Sequence, residues 1–428
     1  MMAPLAASLI FAGMLVAIFS ERLNRSIAAI LGALLMVMVG RWLGFYSEQQ
    51  AVQSIDLYTL GLLLGMMILV ALLEPTGFFQ YVAVWAGRLS RGRPLRLLVL
   101  LGGVTTLLSM ALDNVTTAVL IAPVTVLICE LLGLSPAPFL IAEALLANVG
   151  GVATLIGDPP NVLIAAAAGF SFNSFLTHTL PVALVAWPAT ILLLKYLFRD
   201  DLRQPPRNIA ALAQMDPERA FTDRRTAWRV LTVLAGAFCL FFVHTRLDVT
   251  PAFIALLAAT VALLWVQPKL SDVLGRVEWE VLIFFIAMFI AVGGLEAAGV
   301  LNALAAPLAG LGSLPPVLLG LLLLWLSAGL SAVVDNVPIT IALIPMIQQM
   351  GASGINITPL WWALALGAGF GGNGTLIGST AGMIIATLSQ KTHTPVTATL
   401  WNRRGLPVML LTCLIASLIY WLFYPLFK

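Results

Sequence analysis

Charge is what this chain has least of. Only 10% of its residues are Asp, Glu, Lys or Arg, against roughly 25% in an average soluble domain, and that shortage excludes a water-exposed surface over most of the molecule. Cysteine is almost missing as well. Cys129, Cys239 and Cys413 stand more than a hundred residues apart within apolar stretches, so neither a disulfide framework nor a CxxC metal pair is written, and buried packing is the expected role of all three. Three histidines, His178, His244 and His393, make no ligand cluster and are expected as solvated residues near span ends. There is no GxxxxGK[ST], so the chain has no ATPase of its own. Gly367, Gly369 and Gly372 do spell GxGxxG, but no acidic residue follows Asp335; without a ribose-binding carboxylate the glycines read as a helix-break cluster. Lys and Arg total 22 against 19 Asp and Glu, which leaves no nucleic-acid footprint. Neither catalytic chemistry nor a cofactor is indicated.

What fills the chain instead is apolar. Of 428 residues 61% are hydrophobic, and since roughly 20 apolar residues cross a bilayer core as a helix, about a dozen crossings with short loops fit. The first apolar run precedes its basic residues Arg22 and Arg25, the order of a retained span and not of a cleaved signal. Further runs fall near 27–44, 57–74, 95–132, 137–169 and 177–197, then 229–244, 251–267, 280–298, 316–350, 358–390 and 405–425. Four of them, 95–132, 137–169, 316–350 and 358–390, are too long for one crossing and carry Gly, Asn, Asp or Pro near their centres, the mark of broken elements.

The chain is written twice. Ser109, Asp113, Asn114, Val115 and Pro123 recur as Ser331, Asp335, Asn336, Val337 and Pro345 at an offset of 222. At an offset of 221, Gly150-Gly-Val-Ala-Thr-Leu-Ile-Gly157 meets Gly371-Gly-Asn-Gly-Thr-Leu-Ile-Gly378, with six identities in eight positions. Duplication of this kind marks a transporter core: a first repeat over 1–197, a polar cytoplasmic linker over 198–228 and a second repeat over 229–428. If 95–132 and 316–350 are re-entrant hairpins, each repeat makes five crossings and the odd number inverts the second. Basic residues then divide 19 to 3, with only Arg41, Arg246 and Lys428 outside, as the positive-inside rule requires. That partition predicts a multi-pass membrane protein with both termini outside. Trp42, Trp228, Trp265, Trp279, Trp401 and Trp421 near span ends read as an interfacial belt.

A helix broken inside a membrane exposes backbone groups that lipid cannot satisfy, so breaks persist only where protein or a water-lined cavity surrounds them. Four breaks therefore predict one site, with 113–116, 150–158, 335–338 and 371–379 non-helical and meeting near mid-membrane. Half-helices are expected to start at Asn114, Asn336, Asp158 and Ser379; their N-termini suit oxygen-rich solutes and their unwound carbonyls suit cations. The expected solute or ion ligands are Ser109, Asp113, Asn114, Thr154, Gly157, Asp158, Asn161, Ser331, Asp335, Asn336, Asn373, Thr375 and Ser379. Carboxylates at membrane depth are costly and usually functional, so Asp113 and Asp335 are the candidate carriers of a coupling proton, whereas Asp158, followed by two prolines, is balanced between that role and helix capping. Glu143 lies in an apolar run with no acidic counterpart in the second repeat, and its partner is not legible.

These motifs, above all Asn148-Val-Gly-Gly-Val-Ala-Thr-Leu-Ile-Gly-Asp-Pro-Pro-Asn161, resemble the ArsB/P-protein permeases of the ion transporter superfamily, most closely a bacterial arsenite permease. The resemblance implies two inverted repeats in an all-α membrane protein, hairpin tips meeting broken helices, and a mobile transport unit against a fixed scaffold. It implies proton-coupled efflux of arsenite or antimonite by alternating access. Sodium/proton exchange is the alternative on the same fold; a passive anion channel or the membrane subunit of an ATP-driven pump is the alternative from another class. Expected partners are the bilayer, a small inorganic solute with a proton or sodium, and either a second copy or a soluble ATPase.

Overall fold

The computed structural model describes residues 2–19, 23–209, 212, 215–300 and 314–428. Among these, all regular structure is helical. The first half holds α1 (Met2–Phe19), α2 (Arg25–Leu43), α3 (Glu48–Gln53), α4 (Leu57–Leu73), α5 (Phe78–Ser90), α6 (Pro94–Ala111), α7 (Asn114–Leu132), α8 (Ala137–Gly151), α9 (Pro159–Ala168) and α10 (Phe172–Leu197). The second holds α11 (Arg224–Leu247), α12 (Pro251–Val266), α13 (Leu270–Leu274), α14 (Trp279–Ala297), α15 (Pro316–Val333), α16 (Asn336–Ala352), α17 (Thr358–Gly371), α18 (Thr380–Ser389) and α19 (Ala398–Leu422). Arg22, one of the basic residues counted above, lies outside the described residues, as do linker positions 210, 211, 213 and 214.

Nine of the described helices are long and apolar enough to cross a membrane. Their outer faces keep large apolar side chains uncovered: Leu34 is 63% exposed, Leu107 68% and Leu192 66%. In water such continuous patches would drive association; in a bilayer they are the solvated surface.

The duplication seen in sequence extends to the element boundaries. Helices α3 and α13, α4 and α14, α6 and α15, and α7 and α16 start 222 residues apart, while α8 and α17, and α9 and α18, start 221 apart. The packing exchanges in the same way. Helix α2 lies on α14 and α4 on α12; α7 lies on α18 and α16 on α9; α6 lies on α8 and α15 on α17. Exchanging the halves maps each pair onto the other, as a twofold axis between inverted repeats does. Two groups result: a frame of α1–α4 with α11–α14, and a hairpin unit of α6–α9 with α15–α18, flanked by the paired α10 and α19.

Glycine permits the hairpins to lie on the broken helices. A Cβ on Gly157 would stand 2.5 Å from the Ser109 carbonyl oxygen, and one on Gly378 would stand 2.7 Å from that of Ser331. Only backbone fits there. Proline then restarts the chain: Pro159 and Pro160 open α9, where a missing N–H costs nothing.

Several expectations change. The hairpin turns are tighter than a four-residue tip, because Asn114–Thr116 and Asn336–Pro338 are already helical and only Leu112–Asp113 and Val334–Asp335 are extended. Helices α8 and α17 continue through Gly150–Gly151 and to Gly371, so the breaks are 152–158 and 372–379. Trp401 does not belong to an interfacial belt; it is fully buried, against Gly382 and Gly405. Cys239 is exposed on α11, unlike buried Cys129 and Cys413. His244 is buried and accepts from the Phe172 amide at 3.3 Å, while the His178 ring stacks on Trp362 at 4.3 Å; of the three histidines only His393 is the exposed residue expected. Helix α5, unforeseen, is an amphipathic bracket packed on α6 and α7. The described part of the 198–228 segment closes beneath it, with the Thr222 amide on the Thr76 carbonyl at 2.9 Å.

Candidate functional site

Both hairpin tips and the starts of α9 and α18 face one narrow crevice of about 40 Å³. Asp113, Asn114, Asp158, Asp335, Asn336 and Thr380 line it from the hairpin unit. Arg25, Glu278 and Phe284 line it from the frame. The geometry brings together the acids and amides that the repeat had singled out, and it distributes their work unevenly.

Asp113 is the N-cap of α7. Its carboxylate accepts from the Thr116 amide at 2.8 Å and from the Thr116 hydroxyl at 2.5 Å, which answers N–H groups that the turn would otherwise strand. The Thr116 hydroxyl also stands 3.0 Å from Glu278 Oε1. A hydroxyl carries one proton, so it satisfies both carboxyl groups only when one of them is itself protonated.

Asp335 occupies the same backbone position and does something else. Its side chain makes no capping hydrogen bond. Instead it accepts from the Thr380 hydroxyl at 2.5 Å and pairs with Arg25 at 3.1 Å. Arg25 also donates to Thr380 Oγ1 at 2.6 Å and lies 5.8 Å above the Phe284 ring. Thr380 corresponds to Pro159 at the 221 offset, which has no donor to offer Asp113.

Asp158 differs from both tip acids. It sits at the N-cap position of α9, yet its side chain makes no capping hydrogen bond. It is 1% exposed and lies between the tips, accepting from Asn336 Nδ2 at 2.8 Å and approached by Asn114 Nδ2 at 3.5 Å. Asp158 has no place among the ion pairs of the described residues. Next to it an amide chain crosses between the halves: Asn114 donates to Asn148 Oδ1 at 2.9 Å, Asn148 donates to Asn373 Oδ1 at 2.8 Å, and the Ser379 hydroxyl reaches Asn148 Oδ1 at 3.2 Å.

The remaining expected ligands hold the backbone together. Ser109 donates to the Ala147 carbonyl and Ser331 to that of Ala368, each at 2.7 Å. Thr154 donates to the Met110 carbonyl and its counterpart Thr375 to that of Ala332, so the four hydroxyls tie each hairpin to its broken helix. Asn161 spends its amide inside the first break, on the Gly151 and Thr154 carbonyls at 3.1 and 2.8 Å. Gly157 supplies close approach. Glu143 finds a partner that the sequence hid, the Thr125 hydroxyl of α7 at 2.5 Å, away from the crevice. No cluster of metal-ligating side chains occurs among the described residues.

Residues 15–367 match the citrate transporter family, CitMHS. The chain belongs to that family. This CitMHS member is 38% identical to a 46 kDa membrane protein of Mycobacterium leprae over 95% of its own length and 96% of the relative's. It is 38% identical to an uncharacterised transporter of Mycobacterium tuberculosis over 97% of both chains. It is 31% identical to the human P protein, covering 95% of this chain and 58% of that one. Among solved structures, the Alcanivorax borkumensis YdaH transporter superimposes with a TM-score of 0.62 over 94% of this chain and 98% of its own, at 16% identity, a likeness of fold. The family is one of membrane transporters, and the P-protein arm of the resemblance stands.

Three residues of the candidate site were not among the expected ligands. Arg25 counts in the sequence only as a cytoplasmic loop charge and Glu278 is not singled out at all, although each stands at the start of an apolar run, where a charge is cheap at the surface and informative if buried. Asn148 has Gly369 at the 221 offset, so a search for repeated residues passes over it.

Proposed function

We propose that this CitMHS member is a secondary active transporter working by alternating access, with Asp158 as the carboxylate that alternates between cargo and a coupling proton. The supporting observation is the setting of Asp158: buried, unpaired by any cation and held by an amide from each repeat. A carboxylate placed so is costly when ionised and empty; a proton, a cation or a hydroxyl-bearing solute removes that cost. Asp113 and Asp335, the carriers expected from the repeat, are engaged by the α7 cap and by Arg25, and in this reading they shape the site while Asp158 titrates.

The cargo class follows from charge. Among the described residues, Asp113, Asp158, Asp335 and Glu278 face the crevice with Arg25 as the one basic side chain, so a free polyanion is disfavoured, and citrate, the solute in the family's name, would enter protonated or paired with a cation. Arsenite and antimonite, neutral trihydroxides at pH 7, offer the hydrogen bonds that carboxylate and amide groups accept and return. Sodium is the second reading, supported by the carboxyl and unwound carbonyl oxygens at the breaks. Orientation follows the charge partition: the basic end cytoplasmic, both termini outside, in a bacterial inner membrane, with efflux as the working direction. Repeats over 1–197 and 229–428, joined through 198–228, form the two halves of the machine.

Purified protein in proteoliposomes under an imposed pH gradient, offered arsenite, antimonite, sodium or citrate in turn, tests the reading. Arsenite or antimonite flux that follows the gradient and disappears in Asp158→Asn is the expected result. Gradient-driven flux of citrate alone, or unchanged flux in Asp158→Asn, would overturn it.

A further inference from the structure

The polar contacts between frame and hairpin unit are not shared equally by the two ends of the frame. Arg25, at the start of α2, pairs with Asp335 of the second tip, and Glu278, the N-cap residue of α14, meets Thr116 beside the first. These two helix starts are tied to each other, with Asn24 Nδ2 on Glu280 Oε1 at 2.7 Å and the Ser26 hydroxyl on the Glu280 carbonyl at 3.0 Å. Both lie at the basic end.

The equivalent places at the opposite end make no such contacts. Asp56 is the counterpart of Glu278 by offset and by capping position, and its carboxylate stays within its own helix start, on Tyr58 and Thr59. The counterpart of Arg25 is Leu247 by the 222 offset and Pro251 by helix start, neither of which carries a charge; Arg246, at the 221 offset, is an exposed residue in the last turn of α11 with no ion pair among the described residues. A chain of two inverted repeats reaches its opposite state when the repeats exchange conformations. That exchange brings the first tip to Leu247–Pro251, which offers Asp113 no guanidinium at either position equivalent to Arg25.

We infer that Arg25 is a positioning residue: through Asp335 it holds the hairpin unit at the basic end, and the opposite state has no matching ion pair. The inference rests on the alternating-access reading above. Arg25 thereby biases the resting equilibrium, and each transport cycle includes breaking and remaking this pair. Its strength comes from partial burial, since the two side chains are 27% and 16% exposed, from the Thr380 hydroxyl that both contact, and from Phe284 beneath the guanidinium.

The test reads position without cargo, so it is independent of which solute is carried. Spin labels at Val52→Cys on the frame and Ser353→Cys on the hairpin unit, in a Cys239→Ser background, report the distance distribution in proteoliposomes. Wild type should show one dominant distance. Arg25→Leu and Asp335→Asn should each move the ratio of that distance to a second one by about fivefold or more, Arg25→Lys should retain the wild-type distribution, and the double variant should move no further than either single one. Thr116→Val, which removes the contact with Glu278, should shift the distribution the same way by less, and it covers the case in which an Arg25 variant fails to fold. Unchanged distributions in Arg25→Leu and Thr116→Val, or shifts of the two single variants that multiply in the double, would overturn the proposal. Absent flux of every solute alongside the expected distance shifts would count against the transport reading and leave this one standing.

Discussion

The two hairpin tips begin with the same Asp-Asn pair at the same point of the same turn, and they carry out different tasks. At the first, Asp113 closes the N-terminus of α7 on Thr116. At the second, the stretch Val334–Asp335 leaves the cap open and turns the acid toward Thr380 and Arg25. The second tip has Pro338 where the first has Thr116, and proline has no N–H to receive a cap. In α18 a threonine stands where α9 has Pro159. Two substitutions between repeats thus move one carboxylate from local structure to a contact across the molecule. A duplicated acid need not keep a duplicated role, and the unduplicated one, Asp158 opposite Ser379, is left between both tips.

The largest expected effect bears on that ranking. Asp158→Asn should abolish pH-gradient-driven flux, by at least a hundredfold, while the protein stays monodisperse in detergent, since Asn keeps the volume and one acceptor; Asp113→Asn should retain most of the flux because Asn is also a good N-cap. Equal losses in both variants would erase the proposed difference between tip and centre. Next, Asn336→Leu should cost more flux than Asn114→Leu, about tenfold or more, because its hydrogen bond to Asp158 is 2.8 Å against 3.5 Å and bonds to charged groups contribute roughly 1.5–3 kcal/mol. Gly157→Ala and Gly378→Ala should both lower thermal stability by about 1–3 kcal/mol, the first by more, as the tighter approach of 2.5 Å against 2.7 Å requires; melting in detergent checks the order.

The smallest effect comes from a second capping aspartate, Asp223 at the start of α11, which is exposed where Asp113 is half-buried. Hydrogen bonds from the Thr226 hydroxyl and amide hold its carboxyl below the usual range. A depressed folded value means that the stabilisation is complete above the unfolded value and is lost as pH falls through the folded one. Asp223→Ala should therefore lower stability by about 0.5–1 kcal/mol at pH 7, with the difference from wild type vanishing on acidification below the ordinary carboxylate range. A difference that survives at pH 2 would show that packing, and not the charged cap, is what Asp223 supplies.

Periodic and repeated features are legible in the sequence. Membrane class, the four interrupted helices and the 222-residue offset follow from composition and spacing, because lipid admits only helices and closed barrels, continuous apolar runs of about 20 residues suit the helix, and breaks are allowed only in company. The glycines of the breaks were legible for the same reason, though their work, admitting the Ser109 and Ser331 carbonyls, was not. Trp401 misled because nearness to a span end says nothing of which way an indole faces, and His244 misled likewise.

The sequence by itself determined that this is a duplicated bundle of membrane-crossing helices with acids and amides at four interruptions, since hydrophobic run length and repeat identity are local properties. Only the tertiary structure decided which acid caps, which pairs and which stands unpaired. Arg25 and Asp335 are 310 residues apart in the chain and 3.1 Å apart in space, and Asp158 takes its character from two asparagines on different hairpins. Those are facts of packing between repeats, and the free energy of a buried carboxylate depends on neighbours that no local window of sequence contains.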